Sequence, residues 1–274
     1  MATSNSVSFP TNSRRKLALV IGISDYYQGL HLPNATYDAE QMVLTLKEIG
    51  FLIHDNEPKL NLTYKEMRHT IIDFECSIKD GDIILFYFSG HGTPWKDQNY
   101  LIPIDNSVEK IEGNVRRRIP FSGVDFETRA INAQNLFNTI NGRRPFLTMF
   151  FLDCCRTYHI RHETLENDTE IEQISPPRGL QEMSVKAEAL VAFACAPETT
   201  ADDGSSVRKN GLFTRHLLEH LKTPNEDIRT ILNRVRDGVM KDSNNQQIPH
   251  VTYTLRSEDI CFYKSNEGKD TFTI

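Results

Sequence analysis

An α/β fold, with a largely parallel sheet covered on both faces by helices, follows from three features of this 274-residue sequence. Short apolar runs rich in strand formers alternate with helical spacing along most of the chain. Two of these runs, Ile83 to Phe88 and Phe146 to Leu152, show no polar alternation, as expected of strands buried on both faces. The composition, 39% hydrophobic and 25% charged, is that of an ordinary globular protein. It excludes collagen-like, low-complexity and wholly disordered chains.

The elements follow in order. Leu17-Ala18-Leu19-Val20-Ile21-Gly22 is too short for a helix and reads as a strand. Asp38 to Ile49 carries helical spacing through Met42, Leu46 and Ile49, with Gly50 as its stop. Phe51 to Ile53 reopens a strand. Thr63-Tyr64-Lys65-Glu66 is a capping box for a helix that buries Met67, Ile71 and Phe74. Ala133 to Ile140 is a helix between the two buried strands. From Tyr158 to about Lys186 periodicity is lost, and Glu163 to Glu172 holds five acids and no base, the signature of a solvated linker. Leu190 to Ala194 resumes the sheet, and Leu212 to Leu221 is a helix. Thr223-Pro224-Asn225-Glu226 is expected to cap a further helix with Pro at its first position. Val251 to Leu255 and Ile260 to Tyr263 are expected as closing strands.

The net charge of −6 disfavours a broad basic face for nucleic acid. No apolar run approaches the roughly 20 residues of a membrane-spanning helix. Five cysteines, an odd count, suit free thiols in a reducing compartment, so a cytoplasmic protein is expected. Cys76, Cys195 and Cys261 read as core residues. His159 and His162 with Cys154 and Cys155 match no standard zinc spacing, and no phosphate-cradling motif is present. No metal and no cofactor are expected.

Chemistry concentrates at two strand ends. One buried strand runs into Ser89-Gly90-His91-Gly92 and the other into Asp153-Cys154-Cys155-Arg156. Sites in open α/β sheets form beyond the carboxyl ends of parallel strands. His91 and Cys155 could therefore meet although 64 positions separate them. An imidazole beside a thiol stabilises the thiolate that attacks a carbonyl, and it can then protonate the leaving amine. The N–H groups of Gly92 and Cys155 are the candidates for holding the developing oxyanion. If the strand persists, Asp153 and Cys155 share a face and Cys154 takes the other, as a buried residue. The flanking glycines are read as allowing a sharp turn.

These residues carry a resemblance. Ser-Gly-His-Gly and Asp-Cys-Cys, in this order and spacing, resemble the caspase-like cysteine peptidases of clan CD, family C14, over about residues 16 to 263. Asp153-Cys154 stands where caspases carry Gln-Ala, which points toward paracaspases and metacaspases. Leu17 to Tyr26, Tyr64 to Ile71, Phe86 to Gly92 and Phe151 to Arg156 look closest to a paracaspase catalytic domain; orthocaspase-type relatives also fit. The resemblance implies a three-layer α/β/α sandwich around a mostly parallel sheet of about six strands. It divides the chain into a disordered lead over 1–15, a large-subunit-like part over 16–157, a linker over 158–187 and a small-subunit-like part over 188–274.

It further implies a cysteine endopeptidase acting on polypeptides, with Cys155 as nucleophile, His91 as general acid/base and a homodimer as a further partner. Thr93 to Asp97 offers one carboxylate where calcium-dependent metacaspases carry an acidic cluster, so no calcium requirement is expected. Relatives that cleave after Arg or Lys line the pocket with acids, and Asp38 and Asp153 occupy matching positions. Glu198 and Asp202 are further pocket candidates whose alignment needs a shift. Asp38 has a second reading as a charge complementing its own helix N-terminus. The competing functions are a catalytically silent scaffold and an Asp-specific peptidase, the latter opposed by repulsion from Asp38 and Asp153.

Overall fold

The computed structural model describes residues 14–27, 31–112, 115–121, 123–155, 181–185, 188–195, 210–256 and 260–263. The lead over 1–13 and most of the expected linker lie outside the described residues, as do His159, His162, Glu198 and Asp202.

The chain runs β1 (Lys16–Gly22), α1 (Ala35–Glu48), β2 (Leu52–Ile53), β3 (Lys59–Leu60), α2 (Tyr64–Ser77), β4 (Ile83–Trp95), β5 (Gln98–Leu101), β6 (Ser107–Glu112), β7 (Val115–Pro120), α3 (Gly123–Arg129), β8 (Ile131–Asn132), α4 (Ala133–Gly142), β9 (Leu147–Cys155), β10 (Ala189–Phe193), α5 (Leu212–His220), α6 (Ile228–Asp242) and β11 (His250–Thr254). The main sheet follows the path β11-β10-β9-β4-β1-β2, the six strands expected, with β3 also pairing β1 and with β5 and β8 joined through β4. All neighbours along it are parallel except the β10–β11 pair.

Period-2 alternation sorts the buried strands between two cores. Ile84, Phe86, Phe88, Phe150 and Leu152 face Met67, Phe74, Phe126, Leu136 and Phe137 from α2, α3 and α4. Leu85, Tyr87, Met149 and Phe151 face Met42, Leu46, Phe213, Leu217, Leu232 and Val235 from α1, α5 and α6. Each fully buried Leu or Phe contributes about 1.5–3 kcal/mol relative to exposure, so strands with two apolar faces fix their register firmly. The result is the three-layer sandwich.

The α2 capping box forms as read: Thr63 Oγ1 accepts from the Glu66 N–H, and Glu66 accepts from the Thr63 N–H. Three expectations need correction. The last long helix begins at Ile228 with Asp227 as its cap, because Asn225 takes a left-handed conformation (φ 57°) that keeps Thr223 to Glu226 in a turn. Ile260 to Tyr263 forms no strand: Cys261 makes one isolated bridge to Asp227 and is only partly buried. Cys76, on the outer side of α2, is exposed rather than core. The β6–β7 hairpin, with Arg116 to Arg118 exposed, lacks the apolar alternation that would have marked it in the sequence.

Residues 181–185, the described end of the expected linker, are held rather than free. Gln181 exchanges two hydrogen bonds with the Asn99 side chain, and Met183 is buried in the α2–α4 core.

Candidate active site

The carboxyl ends of β4 and β9 form the floor of the candidate site. Their parallel ladder pairs Ser89 with Asp153, Gly90 with Cys154 and His91 with Cys155. Two residues far apart in sequence thus become direct backbone neighbours, because both strands are buried and their apolar registers lock together. Cys154 is buried in the α2–α4 core, as the alternation requires.

β4 does not stop at His91. It continues to Trp95 and turns back antiparallel into β5, with Gly92 opposite Leu101 and left-handed Lys96 and Asp97 forming the turn. Gly90 and Gly92 therefore lie inside a strand, not in the sharp turn expected of them. Gly90 serves a different purpose: a β-carbon there would come within 2.6 Å of the Tyr26 hydroxyl.

That hydroxyl accepts a 2.8 Å hydrogen bond from the His91 N–H and donates to the Ile102 carbonyl at 3.0 Å. The Tyr26 ring packs on the His91 imidazole at 4.4 Å between centroids. The Ile102 N–H closes the loop by donating to the His91 carbonyl at 3.0 Å. His91, only 6% exposed, is thereby held from backbone and ring together. Sequence reading assigned Tyr26 no role; its aromatic ring four residues past the end of β1 was the available signal.

A second cluster lies beside this floor, under α1 and α5. Asp38 stands in the first turn of α1, yet its carboxylate serves another helix. Its Oδ1 accepts from the Asn210 amide at 2.8 Å and from the N–H of Gly211, the N-cap of α5, at 3.1 Å. The Ser89 hydroxyl lies 3.5 Å from Oδ2. Asp153 accepts from Thr214 Oγ1 at 2.5 Å, and Thr214 in turn is 2.6 Å from the Tyr87 hydroxyl. Asn210, Gly211, Thr214 and Tyr87 escaped the sequence reading because their partners lie 61 to 173 positions away along the chain.

The donors that Asp38 meets are neutral: the Asn210 amide, the Gly211 N–H and the Ser89 hydroxyl. Asp38 is 3% exposed, and burial together with the charge of Asp153 pushes its carboxyl up to about 8, against the opposing bonds from Asn210, Gly211 and Ser89. The same burial and charges push the Tyr87 hydroxyl up, keeping it neutral. The structure thus brings His91, Cys155, Asp38 and Asp153 to one end of the sheet.

A family model for the caspase domain matches residues 15–259. The chain belongs to the caspase-domain family. It is 22% identical over 230 residues to mucosa-associated lymphoid tissue lymphoma translocation protein 1 of Homo sapiens, a match covering 84% of this chain and 24% of that protein. It is 31% identical over 119 residues to metacaspase-2 of Trypanosoma brucei brucei, covering 36% of this chain and 34% of that one. The chain thus spans about a quarter to a third of the curated relatives it matches. Among solved structures, pro-sf-caspase-1 superposes with a TM-score of 0.61 at 17% identity, covering 97% of this chain and 98% of that one. Caspase-1 from Spodoptera frugiperda gives 0.58 at 17% identity, with 93% and 92% coverage. The caspase fold and the paracaspase and metacaspase relationship expected from the sequence are borne out. No helix among the described residues of this caspase-domain chain is long and apolar enough to cross a membrane.

Proposed function

We propose that this chain is a calcium-independent cysteine endopeptidase that cleaves polypeptides after Arg or Lys. Cys155 is the nucleophile and His91 the general acid/base. The observation that supports the specificity is the buried Asp38 carboxyl, which lies beside Asp153 and is held by the neutral donors Asn210, Gly211 and Ser89. A substrate guanidinium or ammonium entering there pairs with Asp38 and returns it to its ionised form. The His91–Cys155 backbone pairing supports the dyad.

The steps follow from thiol chemistry. The Cys155 thiol, ordinarily near a pKa of about 8.5, transfers its proton to His91, and the thiolate attacks the scissile carbonyl carbon. The oxyanion is held by the N–H groups of Gly92 and Cys155. His91 protonates the departing amine, and water then hydrolyses the thioester with His91 as base. Tyr26 fixes the imidazole through these cycles. Glu198 and Asp202 are further acids for the pocket.

Residues 16–157 and 188–274 act as the two parts of one domain joined by 158–187. A cytoplasmic location agrees with the exposed thiol of Cys76. Homodimerisation agrees with β11, which pairs only with β10 among the described residues and exposes Tyr253.

Matched fluorogenic peptides ending in Arg, Lys or Asp test the reading with the purified chain. Cleavage after Arg or Lys is expected, falling at least about a thousandfold in Cys155→Ala. Equal activity in that variant sinks the mechanism, and preference for Asp sinks the pocket.

A further inference from the structure

Away from the active site, helix α5 carries His216-Leu217-Leu218-Glu219-His220 toward its carboxyl end. Spacings of three and four place His216, Glu219 and His220 on one helix face. Their ligand atoms lie within 4.8 Å of one another. The two imidazoles are nearly parallel, 14° apart in plane with centroids at 6.2 Å. Such proximity alone is common. What singles out this group is the state of the His216 ring.

That side chain is only 10% exposed, wedged between α5 and α6. Room for it exists because α6 presents Gly238 there; a β-carbon at that position would come within 2.5 Å of Cε1 and Nδ1. Nε2 lies 3.1 Å from Asp242 Oδ2. The same oxygen accepts from Arg215 Nη2 at 2.6 Å, which anchors the Asp242 side chain. Nε2 must then be the protonated nitrogen, and in the neutral ring Nδ1 keeps a bare lone pair. Nδ1 is buried and has no hydrogen-bond partner. The nearest acid, Glu219 Oε2, stands off at 3.9 Å, too far for a hydrogen bond.

In the neutral ring, then, a buried acceptor faces a carboxylate across a gap that a shared cation would complete. We propose that His216 Nδ1, Glu219 and His220 form a binding site for a zinc-type dication, with Asp242 as the outer carboxylate that orients His216. Two imidazoles and a carboxylate are the donor set that zinc takes, leaving one position for water. A carboxylate on the far nitrogen of a ligating histidine fixes its tautomer and raises its basicity. Tetrahedral bonds of about 2.1 Å need ligand atoms about 3.4 Å apart. Glu219, 66% exposed, and the partly exposed His220 can close the remaining distance. Two histidines four apart on a helix, as His216 and His220 are, ligate zinc in enzymes that carry this spacing. Only binding is assigned here: His216 is enclosed by α6, so the ion ties α5 to α6 through Asp242. The amino end of that same α5 supplies Gly211 and Thr214 to the Asp38–Asp153 cluster.

The test uses the full chain carrying Cys155→Ala, which removes the candidate nucleophile as a competing thiol. The protein is stripped with chelator, then titrated with Zn²⁺ by calorimetry and with Co²⁺ by absorption. One equivalent is expected to bind, raising the melting temperature, with a Co²⁺ spectrum free of thiolate charge-transfer bands. His220→Ala should weaken binding at least about tenfold and abolish the thermal shift, and Asp242→Ala should weaken it about 10- to 100-fold. Glu219→Gln, at an exposed position that tolerates exchange, should weaken it as well and repeats the test without touching a packed ring. Absence of saturable binding, equal affinity in His220→Ala and Glu219→Gln, or a thiolate charge-transfer band overturns the proposal.

Discussion

Two buried aspartates mark opposite ends of the same sheet, and the chain treats them in opposite ways. Asp82 lies just before β4, at the amino ends of the parallel strands, and Asp38 lies at their carboxyl ends. Each is less than 5% exposed. Asp82 faces Arg15, which forks onto both of its oxygens, and it also accepts from the Lys79 N–H at 2.7 Å. Burial alone would raise its carboxyl, but the guanidinium and that N–H hold it below its ordinary value. Arg15 further donates to the Ser77 carbonyl at 2.7 Å, tying the start of β1 to the end of α2. Asp38 has neutral donors and a second acid instead, and its carboxyl is driven up to about 8. At one end of the sheet a guanidinium answers the buried acid; at the other the buried acid meets neutral donors and a neighbouring carboxylate. A buried carboxyl raised by its surroundings marks a candidate functional site, which is why the carboxyl end of the sheet is the place to look for substrate.

Exchanging the two acids for amides should separate these roles. Asp38→Asn is expected to lower kcat/KM for an Arg peptide about a hundredfold, because a charge-assisted contact becomes a neutral one. It should also raise the melting temperature at pH 8, since no buried carboxylate remains to be ionised. Asp82→Asn should do the reverse, losing about 2–3 kcal/mol of stability, somewhat less than a fully buried pair because Arg15 is partly exposed. Its kcat/KM should stay within about twofold of the parent. A loss of stability in Asp38→Asn with unchanged Arg cleavage would erase the contrast.

The next effect is one of pH. Asp38, raised to about 8, keeps its proton in the folded chain over a range where the unfolded chain, near about 4, has lost it. Stability from this group therefore falls as pH climbs through that window. Asp82, with a depressed carboxyl, contributes stability above its ordinary range and loses it as pH drops through the lowered value. Binding of a basic side chain follows Asp38 ionisation. The ratio of kcat/KM for an Arg peptide between the parent and Asp38→Asn, in which titration of the dyad cancels, should rise with pH and level off near about 8. A flat ratio from pH 6 to 9 would mean that Asp38 does not meet the substrate.

The smallest effect concerns His91. Tyr26→Phe keeps the ring but removes the hydroxyl that accepts from the His91 N–H and donates to the Ile102 carbonyl. A drop in kcat of about 3- to 10-fold is expected with KM little changed, as befits a positioning residue. An effect on KM alone would reassign Tyr26 to the substrate pocket.

Much of this architecture is legible in the sequence because its signals are local. Uninterrupted apolar runs identify β4 and β9, helical spacing identifies α1 and α4, and the capping box marks the start of α2 within a residue. The His91 and Cys155 strand ends stand out because chemically able residues follow directly on apolar runs. Local signals also mislead. Pro224 looked like a helix start, yet Asn225 in a left-handed turn postponed the helix to Ile228. Cys76 looked buried among apolar neighbours, although its own position on α2 points outward.

By itself, then, the sequence determined the class of fold, the order of its elements and the two strand ends that carry a histidine and a cysteine, since each rests on spacing within a dozen residues. Tertiary structure alone decided the environment of Asp38. A first-turn aspartate could as well have complemented its own helix, and whether it did depended on where Gly211, Asn210 and Asp153 came to lie, 115 to 173 positions away. The free energy of ionising a buried acid is set by the dipoles and charges within a few ångströms, and those neighbours are chosen by the packing of α1 and α5 across the sheet, which no local pattern encodes.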